Sequence, residues 1–231
     1  MDKSAVRDAA TVIVLRHGDA GASVLMGQRA SSAAFMPDKY VFPGGAVDVG
    51  DEAVDVGLNA STREILAQHS CRAPQALAAA AIRELWEETG QVLGRRAPWH
   101  DAPQGWRGFA ATGHVPDASA LEFVFRAVTP RGNPRRFDAR FFLADGAHLA
   151  SNPDDFSQAE DELRHLHWVP LHDARDLDLP FITQVVLAEI QARQLRGAPA
   201  SVPFFRNDDE AHLVTRLSGQ SPLGQQDQSE D

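Results

Sequence analysis

The chain has 231 residues, of which 43% are hydrophobic and 23% charged, and its formal net charge is −10 at pH 7. That acidic balance argues against broad binding to a nucleic-acid backbone, which needs clustered Lys and Arg. Every apolar run falls far short of the roughly 20 residues that cross a bilayer, the first residues lack the apolar core of a secretion signal, and the single Cys, Cys71, leaves no internal disulfide. A cytoplasmic protein without a membrane or nucleic-acid partner is expected.

In chain order, residues 11–16 (TVIVLR) and 23–30 (SVLMGQRA) are β-branched or apolar runs joined by HGDAGA, the pattern of a hairpin. Residues 40–45 (YVFPGG) read as a short strand ending in a turn, because Pro and paired Gly punctuate strands. Residues 52–74 read as irregular and partly helical, with a short helix expected over 60–69, capped by Ser61 and docked by Ile65 and Leu66. An Ala-rich helix follows from about Gln75 to Thr89 and stops at Gly90. Residues 121–130 and 135–144 read as two strands around PRGNP. Residues 163–171 read as another strand, whose alternation puts Leu163 and His165 on one face, Arg164 and Leu166 on the other. Residues 180–197 form an amphipathic helix, and the polar tail from Ser218 reads as disordered. Strands mixed with two long helices predict an α/β fold with a sheet between helices.

The Ala-rich helix carries the chemistry. At about 100° per residue, Ala78, Ile82, Leu85 and Trp86 share one side, expected to bury against the sheet, while Glu84, Glu87 and Glu88 crowd the opposite side. Like charges three or four apart repel by roughly 0.2–0.5 kcal/mol per pair. Arg83, one turn before Glu87, offsets only part of that charge. Either the face is simply solvated, or the carboxylates converge on a divalent cation, which takes oxygen ligands.

Upstream, FPGGAVDVGD at 42–51 brings a Gly-Gly turn and an acidic loop, and RELWEETG follows at 83–90. Together these segments resemble the Nudix box, beginning at Gly45, and the resemblance covers roughly residues 10–195. It implies a Nudix-type α/β/α sandwich with a mixed sheet, with a domain over 8–200, an extension over 201–217 and the tail 218–231. Asp51 stands where the signature usually has Glu, and Gln91 replaces its last apolar residue. Residues 52–82 separate Asp51 from Arg83 where the signature has seven, so the box is split by 24 extra residues. A split there resembles the branch that includes peroxisomal coenzyme A diphosphatases. The extra segment, about 52–76, is either a tolerated surface loop or a wall of the pocket.

The resemblance implies hydrolysis of the diphosphate bond in a nucleoside diphosphate derivative, a small molecule of which coenzyme A or acyl-CoA is one form. It implies Mg2+ or Mn2+ held by Glu84, Glu87 and Glu88, with the carbonyl of Gly45 completing the set. Arg83 would orient a Glu, and Glu162 would serve as a further catalytic carboxylate, with Glu160 its nearest competitor. Arg29, Arg135 and Arg136 are candidates for substrate phosphates, and Phe137 for stacking or core. A homodimer is compatible with this reading. Two alternatives stay open: RHG at 16–18 resembles histidine phosphatases, with His17 as nucleophile and His114 as a second His, and a Nudix domain can sense a nucleotide without cleaving it.

Overall fold

The β-branched run at 11–15 lies inside a longer strand, β1 (Val6–Gly18), because both of its edges are paired. The structure, a computed structural model, describes residues 5–33, 35–68, 70–198, 201–208 and 211–217; the expected tail from Ser218 lies outside them. On one side β1 runs parallel to β8 (Arg136–Asp145), from Val6 opposite Arg136 to Leu15 opposite Asp145. On its other side it forms the expected hairpin with β2 (Gly21–Arg29) and then meets β4 (Gly44–Ala46). The single strand expected at 40–45 is thus two pieces. β3 (Tyr40–Val41) pairs with β2, and the chain crosses at Phe42–Pro43 to β4 on β1.

The remaining strands are β5 (Gly94–Arg96), β6 (His114–Pro116), β7 (Glu122–Val128), β9 (Leu163–Pro170), β10 (Val202–Asp208) and β11 (Ala211–Leu217). β5 and β6 form a separate pair. The main sheet runs β11-β10-β7-β8-β1-β2-β3, with β4 on β1 and β9 on β2. Residues expected as an extension after 200 therefore continue the sheet, β10 lying parallel to β7, with Val202 and Phe204 in the core.

Alternation along β1 sends Ala10, Val12 and Val14 to one face and Ile13 and Leu15 to the other. The first face is covered by α2 (Pro74–Thr89) and the second by α4 (Phe181–Arg196). This is the mixed sheet between helices that the sequence leads one to expect. No helix among the described residues is long and apolar enough to cross a membrane.

Three local expectations change. In β9 the alternation breaks at His165, whose φ is +50°, and the register with β2 shifts between Met26 and Gln28. This β-bulge brings Leu163 and Leu166 together against Gly27, where a Cβ would lie 2.8 Å from Leu166 and 2.9 Å from Leu163. Trp86 packs not on the sheet but edge-on against Phe109 of α3 (Arg107–Ala111), ring centres 6.3 Å apart. Finally, α2 is covered almost all round, so its acidic side is not a wet face: Arg83 and Glu88 are both buried.

The segment splitting the box does contain a short helix, α1 (Ala60–Ala67). Asn59, not Ser61, caps it, accepting from the Thr62 amide at 2.8 Å. Thr62 Oγ1 donates to the Leu121 carbonyl at 3.1 Å, and Leu66 enters the α2-side core. Beyond α1, Arg72 reaches Asp8 of β1 at 3.2 Å, and Asp8 also binds the buried Arg140 at 2.6 Å. Leu66→Ala is expected to lower unfolding free energy by about 2–4 kcal/mol in urea titrations, as for other buried leucines. A loss well below that range would mean that α1 lies loosely on the surface.

Candidate active site

Pro at the first helical position and a left-handed Gly at the end delimit α2: Pro74 begins it, and Gly90, at φ +71°, returns its amide to the Trp86 carbonyl at 2.7 Å. The last two turns before that stop hold Arg83 and the three Glu.

Arg83 is the organiser. Its Nε and Nη2 donate to the two carboxylate oxygens of Asp51, each at 3.0 Å, and Nη2 also reaches the Ala46 carbonyl at 3.0 Å. Nη1 donates to Glu84 and to Glu87, both at 2.8 Å. All five guanidinium N–H groups are thereby used. Burial lowers the pKa of Arg83, but its hydrogen bonds to Asp51 and the charges of Glu84, Asp51 and Glu87 outweigh it and hold the group firmly cationic. Asp51 is fully buried, and it also accepts from Trp106 Nε1 at 3.2 Å and from the Asp48 amide at 2.8 Å. The acid that departs from the usual Glu is therefore the anchor of Arg83.

The carboxylates sit under strain of charge. Burial, and secondarily Glu87 and Glu162, push the pKa of Glu84 up to about 7 against the opposing pull of Arg83. Burial likewise raises Glu87, again opposed by Arg83, with Glu160 and Asp51 adding to the rise. Glu88 is raised furthest, by burial first and then by Glu84, despite the hydrogen bond that it accepts from the Gly44 amide at 2.7 Å. Its other oxygen, Oε1, is buried without a partner among the described residues. Gly45 lies directly against Glu84, since a Cβ there would fall 2.5 Å from that carboxylate. Any side chain at 45 would displace the Glu.

Glu162 stands near Glu84 and Glu88, whose pKa values it raises, and is held by Arg29 Nη2 at 2.7 Å. Glu160 is on the other side, beside Glu87, where its amide donates to the Glu87 carbonyl at 2.8 Å. Arg29, expected on phosphates, thus spends one edge on Glu162, while its buried Nε has no partner among the described residues.

A cavity of about 460 Å³ opens here, bordered by Glu84, Gly45, Glu162, Arg29 and Arg135. Arg136 is not on its wall; its Nε is turned to the Thr129 carbonyl at 3.1 Å. Phe137 does border it, with its ring 5.3 Å from that of Phe35, a residue without local signal in the sequence. No residue of the inserted segment borders it, because α1 is fastened to Ser119, Leu121 and the α2-side core instead. The pocket-wall expectation for that segment is therefore corrected. His17 is exposed near the β1–β2 turn, and His114 opens β6; neither borders the cavity.

The donor set suits a hard divalent cation: clustered carboxylates with excess negative charge and an orphaned buried oxygen on Glu88. Among the described residues no three side chains are preset as a cage, since Glu84 and Glu87 are turned to Arg83. Binding a cation would draw them from shared positions rather than fill a finished shell.

No family model matches the chain, and no curated protein compared with it matches either. Among solved structures, a NUDIX hydrolase from Alicyclobacillus acidocaldarius is 28% identical, with a TM-score of 0.61 over 80% of this chain and 90% of that one. The NUDIX domain of Shewanella oneidensis NrtR, complexed with ADP ribose, is 15% identical, with a TM-score of 0.49 over 82% of this chain and 89% of its own. A C. elegans Ap4A hydrolase is 18% identical, with a TM-score of 0.48 over 82% and 98%. The last two likenesses are too distant to carry weight. The first supports the Nudix superfamily, in agreement with the sheet and helix arrangement.

The raised carboxylates have a thermodynamic consequence. A Glu with a folded pKa of about 7 and an unfolded value of about 4.3 binds more protons in the folded state between those limits. Stability of the metal-free protein is therefore expected to fall as pH rises from about 4.5 to about 7, and to stay low above. Glu84→Gln is expected to flatten this dependence in thermal melts run without metal. An equal slope in the variant would remove Glu84 as its source.

Proposed function

We propose that this chain is a Nudix pyrophosphohydrolase that uses Mg2+ or Mn2+ to cleave the diphosphate bond of a nucleoside diphosphate derivative. The observation that carries this reading is the Arg83-centred cluster of Asp51, Glu84 and Glu87, with the orphaned Glu88 Oε1 beside it.

Glu84, Glu87 and Glu88 are the carboxylates that would hold the cation, with Gly45 offering a backbone oxygen. Once bound, the cation neutralises the diphosphate and lowers the pKa of water. The protein's own groups do the rest. Arg83, immobilised by Asp51, keeps two Glu side chains from scattering under mutual repulsion. Arg29 and Arg135 place positive charge on the cavity wall, where an anionic substrate needs it. Glu162, held by Arg29, is positioned to accept a proton from attacking water, which makes it the proposed general base. Coenzyme A or an acyl-CoA is the substrate suggested by the split box, and it belongs in the same screen as nucleoside diphosphate sugars and dinucleotides.

Glu88→Gln is expected to fold normally and to lose at least ~10²-fold in turnover, the usual scale for removing a charge-stabilising group. Glu162→Gln is expected to lose at least ~10²-fold and to abolish the acidic limb of the pH–rate profile. Hydrolysis that needs no added cation, or a Glu88→Gln protein with normal turnover, would refute the proposal. Nucleotide binding without cleavage by the unaltered protein would point to a sensor.

A further inference from the structure

The cavity is floored by a row of small side chains. Strand register sets Ala127 of β7 opposite Ala139 of β8, Ala139 beside Ala9 of β1, and Ala9 opposite Ala46 of β4. At about 4.8 Å per strand, these four alanines make a trough about 14 Å long across the sheet. Phe205 of β10 lies at one end, opposite Ala127. The other end runs into Ala46, next to Gly45 and the Glu84 carboxylate. Ala46 faces the α4 side of the sheet and Gly45 the α2 side, and the cavity that both border joins the trough to the acidic cluster.

Its sides are apolar. Phe137 and Phe141 flank Ala139 on the same face of β8, and both border the cavity. Phe35 meets Phe137 edge-on, and Phe181, 68% exposed, lies 6.1 Å from Phe205. A nucleobase buried here would need partners for its ring nitrogens and exocyclic groups, at a cost of about 1–3 kcal/mol for each left unmade. Of the polar side chains away from the acids, Thr129 Oγ1 accepts from the Phe137 amide at 3.0 Å and Asn133 donates to the Pro130 carbonyl at 3.2 Å, which leaves the single hydroxyls of Thr11 and Thr183, fewer groups than a base edge presents. Arg7 and Arg135 border the cavity but are exposed, which suits phosphate at a rim better than a base edge.

We propose that this alanine-floored cavity holds an apolar ester group on the far side of the substrate's diphosphate, leaving the nucleobase outside it. The inference rests on the pyrophosphohydrolase reading and narrows its substrate class to nucleoside diphosphates esterified with an aliphatic or aryl group.

The test uses adenosine diphosphate esters carrying methyl, butyl or octyl groups, together with the octyl ester of uridine diphosphate. Burial of each methylene favours binding about fourfold, so kcat/KM is expected to rise at least ~10²-fold from methyl to octyl, mainly through KM. Exchanging adenine for uracil is expected to have little effect. Ala139→Leu fills the trough and is expected to cut the octyl-to-methyl preference at least ~10-fold. Phe137→Ala, which removes one side, reports the same loss if Ala139→Leu does not fold. Calorimetry without metal provides a readout independent of hydrolysis: the octyl ester is expected to bind more tightly, with a more negative heat-capacity change. Rates and affinities that follow the base and ignore chain length would overturn the inference. Failure of all esters to be hydrolysed with either metal would instead refute the pyrophosphohydrolase reading, while the metal-free binding order would still decide what the cavity holds.

Discussion

The bidentate pair between Arg83 and the fully buried Asp51 is the constraint on which the acidic site depends. Removing two charges from water costs several kcal/mol each, and only good geometry with further hydrogen bonds offsets that. Here both conditions hold. Asp51 has the Trp106 indole and the Asp48 amide as additional donors, and Arg83 has the Ala46 carbonyl and two Glu as additional acceptors. The pair ties the loop after β4 to α2, so that the two halves of the split box meet despite the residues between them. With Arg83 fixed from behind, its free edge can face Glu84 and Glu87 at a set position.

That arrangement holds the site in an unfavourable electrostatic state. Glu84, Glu87 and Glu88 follow one another along about one helical turn, and all three have pKa values raised by burial first and then by neighbouring carboxylates. Gly45 permits Glu84 to approach β4, and the bulge at His165 carries β9 past Gly27 toward the same end of the sheet. The surrounding core holds these charges together. Small residues on α2, Ala76 and Ala78–Ala81, bring the helix close to β1, and the inserted segment covers its outer side through Leu66 and Thr62. The insertion thus braces the helix and leaves the cavity, on the opposite side of the sheet's crossover, to the β2–β3 and β7–β8 loops.

Much of this was legible in the residues. Ala-rich periodicity, Gly90 and the RELWEETG segment defined α2 and its acids, and β-branched runs defined the central strands. What stayed hidden depended on tertiary pairing. Asp51 read only as a departure from the usual Glu, because its partner, Arg83, is 32 positions away. Phe35 carried no signal, since its role comes from the β2–β3 loop bringing it to Phe137 of β8. The trough was invisible for the same reason: its four alanines lie on four strands and become neighbours only through register. The bulge in β9 inverted a simple alternation, and the location of α1 was undecidable from its own amphipathicity, which gives a buried side but not what covers it.

The most direct measurement is a Mn2+ titration of Asp51→Asn alongside the unaltered protein, with turnover recorded on the same samples. If Asp51 holds Arg83 and Arg83 holds the acids, the variant should stay folded, bind Mn2+ at least ~10-fold more weakly and lose activity in step, as when a supporting partner of a ligand is removed. Unchanged Mn2+ affinity and unchanged turnover in a folded Asp51→Asn protein would contradict it, and would leave the acids positioned by the helix alone.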